Sequence, residues 1–199
     1  MTALQREDKI TSAHERIVPF KMAHVVFQCT DRQKMVDWYR QLFQADLVFE
    51  DQVLTFLAYD DEHHRLAFFN SPHLPGKSAE VAGLHHIAYS YLVIGELLST
   101  YERLKPLGIL PVWTINHGPT TSLYYRDPEG NNIELQVDNF PEQSDAAAYF
   151  ETEAFAKNPI GVEFDPDALS AMWRNGASDA ELCAIGTCAT GESNGPKSR

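Results

Sequence analysis

Residues 62 positions apart in this 199-residue chain resemble one another. His24-Val25-Val26-Phe27 falls on His86-Ile87-Ala88-Tyr89, Tyr39 on Tyr101, Leu42 on Leu104, and Met35-Val36 on Leu97-Leu98. Self-similarity at a fixed period marks a duplicated supersecondary unit. Each copy reads as a strand, a helix and then further strands. The expected fold is therefore α+β, two βαβββ repeats forming one module, with a C-terminal helical arm.

In the first copy a strand is expected over residues 22–29 and a helix over 31–43, with Asp31 as its N-cap. Met35, Val36, Tyr39, Leu42 and Phe43 recur at helical spacing and give that helix one buried face. Strands follow over 47–50, 53–59 and 64–69, with residues 60–62 as a turn. Residues 71–81, with two prolines and a glycine, read as the linker. The second copy offers a strand over 85–91, a helix over 94–105 and a strand over 112–114. A hairpin of 122–126 against 132–137 then turns at Asp127-Pro128-Glu129-Gly130-Asn131. The duplicated domain spans residues 20–140. Residues 141–186 form the arm, with helices expected over 140–156 and 167–174 and a capping box at Ser178 and Glu181. Residues 1–19 and 187–199 are expected to be flexible termini.

Hydrophobic residues at 44% and charged residues at 22% are ordinary globular usage, which excludes wholesale disorder. A net charge of −12 without a Lys/Arg cluster argues against nucleic acid and against an anionic membrane surface. No apolar run approaches the ~20 residues needed to span a bilayer, and the polar N-terminus lacks the apolar core of a secretory signal. Three cysteines are too few and too irregular for a disulfide framework, so a cytoplasmic location is expected.

Strand alternation sorts the histidines. His24, Val26 and Gln28 share one face of the first strand, and His86, Ala88 and Ser90 the equivalent face of its repeat. These smaller, more polar sets suit a shared cleft, and the bulkier sets suit the helix-packed side. If the last hairpin pairs Asp127 with Asn131, Tyr124 stands opposite Glu134, about 5 Å away between Cβ atoms. Glu134 lies between Ile133 and Leu135, an odd setting for an acid without a partner. Two histidines and one carboxylate are the facial triad of non-haem Fe(II) oxygenases, and Mn(II) suits the same donors. Zn is less favoured, since its structural sites are closed and four-coordinate. Taken singly, each histidine reads equally as a core or surface residue, and Glu134 as a surface acid.

The segment from His117 to Glu134, HGPTTSLYYRDPEGNNIE, resembles the signature of the type I extradiol ring-cleavage dioxygenases of the vicinal oxygen chelate superfamily. The shared pattern is a His, an aliphatic-Tyr pair at Leu123-Tyr124, Asp127-Pro128, Gly130 and then Glu134. Ala23-His24-Val25-Val26 and Leu84-His85-His86-Ile87-Ala88 resemble that family's ligand strands, and Glu62-His63-His64-Arg65-Leu66-Ala67-Phe68 its strand with a catalytic histidine. The resemblance covers residues 20–140 and is to a single-module form.

It implies that His24, His86 and Glu134 bind Fe(II), that a catechol and O2 are the substrates, and that His64, His117 and Tyr124 are catalytic. Parity aligns His64, rather than His63, with Leu66 and Phe68. The implied activity is extradiol ring opening of a catechol, with a lean toward bicyclic ones such as 2,3-dihydroxybiphenyl, by a homo-oligomer. Two other readings stay open: a glyoxalase- or fosfomycin-resistance-like metal enzyme of the same superfamily, and a metal-free drug-binding module.

Overall fold

The computed structural model describes residues 18–78 and 82–193. Strand β1 (Val25–Cys29) leads into helix α1 (Arg32–Phe43), followed by β2 (Asp46–Glu50), β3 (Leu54–Ala58) and β4 (Leu66–Asn70). The second repeat runs β5 (His86–Tyr91), α2 (Ile94–Leu104), β6 (Trp113–Asn116), β7 (Thr120–Arg126) and β8 (Asn132–Asp138). The first four strands form a sheet in the order β1-β4-β3-β2, with β1 and β4 parallel. The second repeat copies this as β5-β8-β7-β6, with β5 and β8 parallel. Two βαβββ units are thus present, as the period implies.

Helix α1 begins where Asp31 accepts a hydrogen bond from the Lys34 amide at 3.1 Å. Met35, Val36, Tyr39 and Leu42 are fully or almost fully buried on one face. Burial of each such side chain stabilises the fold by roughly 2 kcal/mol. The same core cluster takes in Leu97, Leu98, Tyr101 and Leu104 of α2 and Leu123, Tyr125, Ile133 and Leu135 of the last hairpin. One core therefore serves both repeats.

The second repeat also completes both ends of α1. The Glu129 carboxylate, from the β7–β8 turn, accepts from the Thr30 amide at 2.6 Å and the Asp31 amide at 2.9 Å. Arg103 of α2 donates to the carbonyls of Gln41 at 2.6 Å and Leu42 at 2.9 Å. The Asp31 amide and the two carbonyls are among the groups a helix leaves unpaired at its termini, and Thr30 lies one residue before the N-cap. Inside the core, the Tyr39 hydroxyl donates to Asp127 at 3.1 Å. Asp127 also accepts from the amides of Glu129 and Asn131 and from the Asn131 side chain, which fixes the turn.

Beyond residue 139 the chain departs from the purely helical expectation. Residues 140–156 hold two short helices, α3 (Gln143–Tyr149) and α4 (Glu153–Lys157), rather than one. Helices α5 (Pro166–Arg174) and α6 (Asp179–Cys183) follow, the latter opened by the capping box of Ser178 and Glu181. Two strands were not expected, β9 (Val162–Phe164) and β10 (Ala189–Glu192). β9 pairs antiparallel with β6 and β10 with β9, so the second sheet reads β10-β9-β6-β7-β8-β5. Within the segment from 187 that was expected to be flexible, Ala189–Glu192 is therefore strand. The expectations for residues 1–17, 79–81 and 194–199 lie outside the described residues. No described helix is long and apolar enough to cross a membrane.

Two boundaries bear on the site. β1 starts at Val25, not at residue 22, so His24 stands just ahead of the strand. β4 starts at Leu66, so His64 belongs to the preceding turn and not to the strand.

Candidate active site

Helices α1 and α2 pack on one face of each sheet and leave the other uncovered by them, exposed on β1 and largely buried on the second sheet. On β1 that open face carries Val26, 46% exposed, while Phe27 is buried. On the second sheet it carries Glu134, set between two neighbours by the ladder register. Ala88 of β5 pairs with Glu134, and so does Tyr124 of β7, the pairing expected from the hairpin turn. The Glu134 side chain is only 5% exposed. Its Oε2 lies 2.9 Å from His86 Nε2, and the Tyr124 hydroxyl hydrogen bonds to the carboxylate. These two partners answer the demand that a buried carboxylate be paired. Burial first, and then the Glu134 charge and hydrogen bond, hold the Tyr124 phenol well above its ordinary range. Tyr124 is thus a proton-bearing donor across neutral pH.

His117 opens the loop between β6 and β7. Its Nε2 is 3.2 Å from the Tyr124 hydroxyl, and its Nδ1 is 2.5 Å from the Ile160 carbonyl oxygen. The Trp113 indole lies behind both rings, at 4.7 Å from Tyr124 and 5.6 Å from His117 between centroids. Trp113 is itself held from the C-terminal arm, donating to Glu163 at 3.0 Å and to the Ser193 hydroxyl at 3.2 Å. His86, Glu134, Tyr124 and His117 therefore form one continuous chain of polar contacts.

The other two candidate histidines, His24 and His64, lie beside the first sheet, just ahead of β1 and in the turn before β4. The His64 ring is stacked between His24, at 4.5 Å, and Phe56, at 4.4 Å. His64 is buried and its Nδ1 has no hydrogen-bond partner. Burial first, and then the neighbouring His24 and His63, lower its pKa and favour the neutral ring. The alignment of His64 with Leu66 and Phe68 does not hold. Those two residues are fully buried in the core, whereas Phe56 pairs with Ala67, which pairs with exposed Val26. Strand parity does not extend into the turn that carries His64.

His24 itself is exposed, and Arg65 holds the backbone just before it by donating to the carbonyls of Met22 at 2.7 Å and Ala23 at 3.0 Å. Among the described residues no three His, Cys, Asp or Glu side chains are gathered so that they could hold a metal ion. The structure brings His86 and Glu134 together and leaves His24 beside His64. Phe56, Trp113 and the Ile160 carbonyl escaped the sequence reading. A tryptophan next to the His117 loop was a weak cue for the second, and a main-chain carbonyl gives none.

A family model described as the Glyoxalase/Bleomycin resistance protein/Dioxygenase superfamily matches residues 21–135. The chain belongs to this superfamily. The matched segment of this superfamily member runs from just before His24 to just after Glu134, and so leaves the C-terminal arm outside. Biphenyl-2,3-diol 1,2-dioxygenase 2 of Rhodococcus globerulus is 46% identical over 156 residues, 76% of this chain and 82% of that protein. Biphenyl-2,3-diol 1,2-dioxygenase 3 of the same organism is 38% identical over 164 residues, 81% of this chain and 86% of that protein. The solved structure of a glyoxylase/bleomycin resistance protein/dioxygenase domain from Frankia sp. EAN1pec superposes with a TM-score of 0.52. It covers 63% of this chain and 97% of its own at 16% identity, a likeness of fold alone.

Proposed function

We propose that this superfamily member is an extradiol ring-cleaving dioxygenase that opens a catechol between a hydroxyl-bearing carbon and its neighbour, incorporating both atoms of O2. A bicyclic catechol such as 2,3-dihydroxybiphenyl is the proposed substrate, in keeping with the names of the two Rhodococcus relatives. The observation that carries the reading is the buried Glu134 carboxylate. It sits 2.9 Å from His86 Nε2, with the Tyr124 and His117 proton relay against it.

The donor set suits a catalytic divalent metal, Fe(II) in this reading and Mn(II) as the other ion of like preference. His86 and Glu134 are two neighbouring donors of the right chemistry. His24, the third, stands at the start of the first sheet, just ahead of β1, and its side chain would reorient to join them. The metal, when bound, supplies a Lewis acid and electron source that brings catechol and O2 to one centre.

The chain's own residues do the rest. His64, neutral and with a buried, unpartnered Nδ1 beside His24, takes the proton of a catechol hydroxyl. Tyr124, which keeps its proton, donates to the substrate oxygen on which charge builds up. His117, with Nε2 3.2 Å from that hydroxyl, orients it toward the substrate. Trp113 holds the Tyr124 ring from behind.

The test is oxygen consumption by anaerobically purified, Fe(II)-loaded protein given 2,3-dihydroxybiphenyl or plain catechol, with absorbance followed for a yellow ring-fission product. Uptake with colour in the native chain, and loss of both together with bound iron in Glu134→Ala, is the expected result. Native protein that binds no divalent metal would sink the proposal and favour a binding module.

A further inference from the structure

The segment 158–161 of the C-terminal arm lies outside the region that matches the superfamily, yet it touches the relay directly. We infer that this segment is a positioning device for His117: the Ile160 carbonyl fixes the ring as its Nδ1–H tautomer and aims Nε2 at the Tyr124 hydroxyl. The inference rests on the ring-cleavage reading only for what the positioned ring is used for.

A carbonyl oxygen can only accept a hydrogen bond. With Ile160 O at 2.5 Å, Nδ1 must carry a proton. Which nitrogen of a neutral histidine is protonated is set by the bond the other one makes. In water the side chain favours the opposite form, with the proton on Nε2. Such a bias toward Nδ1–H therefore has to be imposed, and three features of the segment impose it.

First, β9 pairs with the end of β6, Asn116 against Val162, so the arm's backbone runs beside the residue preceding His117. Second, Gly161 adopts φ +113°, and a Cβ there would collide with the Asn116 carbonyl oxygen and the His117 Cα. Only glycine permits so close an approach. Third, Asn158 brackets Gly161, its Nδ2 donating to the Gly161 carbonyl at 2.9 Å and its Oδ1 accepting from the Gly161 amide at 2.9 Å. The loop bearing His117 is equally fixed. Asn116 accepts from the Gly118 amide at 2.9 Å and donates to the Cys183 carbonyl at 2.9 Å. Neither side of the Nδ1 contact is free to drift.

The test reads the tautomer and the turnover separately. Metal-free protein labelled with 15N-histidine is examined at pH 8.5 by long-range 1H–15N correlation, with the His117 ring assigned by its loss in His117→Asn. The native ring is expected to be Nδ1-protonated. In Asn158→Ala the ratio of Nδ1–H to Nε2–H is expected to fall at least about threefold. In the Fe(II)-loaded enzyme kcat should drop about tenfold while KM for 2,3-dihydroxybiphenyl stays within about twofold, as expected for a misaimed acid–base group. Asn158→Asp, which keeps the acceptor for the Gly161 amide, should recover much of both. It also supplies the comparison should Asn158→Ala fold poorly. An Nε2-protonated native ring, or a native-like tautomer ratio in folded Asn158→Ala, overturns the inference. The NMR arm needs neither metal nor turnover. An inactive native enzyme would sink the ring-cleavage reading and leave this one to be decided by the tautomer.

Discussion

Changing Tyr39 and Asp127, singly and together, probes the bond that joins α1 to the turn beneath Tyr124 and Glu134. Tyr39 is 0% and Asp127 3% exposed, and the bond between them is 3.1 Å. Tyr39→Phe removes one donor from a carboxylate that keeps three others, two amides and the Asn131 side chain. A hydrogen bond to a charged group is worth about 1.5–3 kcal/mol, and the remaining donors argue for the low end, about 1.5 kcal/mol. Asp127→Ala loses two turn amides' acceptor and leaves the Tyr39 hydroxyl buried without a partner, for a cost of about 4 kcal/mol. In the double variant that orphaned hydroxyl is gone, so the combined cost should be about 4 kcal/mol rather than the additive total near 5.5 kcal/mol. Urea unfolding of the metal-free protein measures this. With a slope of about 2 kcal/mol per molar, Tyr39→Phe should lower the midpoint by about 0.7 M and Asp127→Ala by about 2 M. Additivity to within about 0.3 kcal/mol would refute the claim that this bond couples the two repeats.

Tyr124→Phe removes the hydroxyl that touches both Glu134 and His117, and oxygen uptake by the iron-loaded variant should fall about a hundredfold in kcat, at the lower end of what proton transfer by a placed side chain contributes. Asp60 should titrate below the ordinary aspartate range near pH 4, first because Arg65 donates to it. Its contribution to stability is fully present above that unfolded pKa and is lost as pH falls through the lower folded value. Because the pair is partly exposed the contribution is under about 1 kcal/mol. A 13C carboxyl titration, and its return to the ordinary midpoint in Arg65→Gln, checks the assignment.

How far the sequence carried can be told from particular residues. The repeat implied both sheets because each copy keeps its apolar residues at the periods of strand and helix. The turn at 127–131 fixed the Tyr124–Glu134 register because Pro128 and Gly130 leave it little choice. Asp31 and the Ser178–Glu181 box announced their helices because capping is local chemistry. β9 and β10 were not legible. Val162-Glu163-Phe164 is too short to show alternation, and Ala189–Glu192 contains a glycine; β9 is a strand because β6 offers an edge to pair with, and β10 because β9 offers the next. His64 escaped the parity argument because it belongs to a turn. The placement of His24 apart from His86 and Glu134 depends on how the two sheets meet, which no local pattern encodes.

The closure of α1 at both ends by Glu129 and Arg103 bears on how the protein is made. A ribosome delivers the first repeat well before residues 103 and 129 emerge. Until then Asp31 still caps the Lys34 amide, but the amides of Thr30 and Asp31 and the carbonyls of Gln41 and Leu42 lack these partners. The first repeat, although topologically whole, therefore gains these contacts only once its sibling has emerged. A duplicated unit has in this way become asymmetric: the earlier copy takes partners for both ends of its helix from the later one.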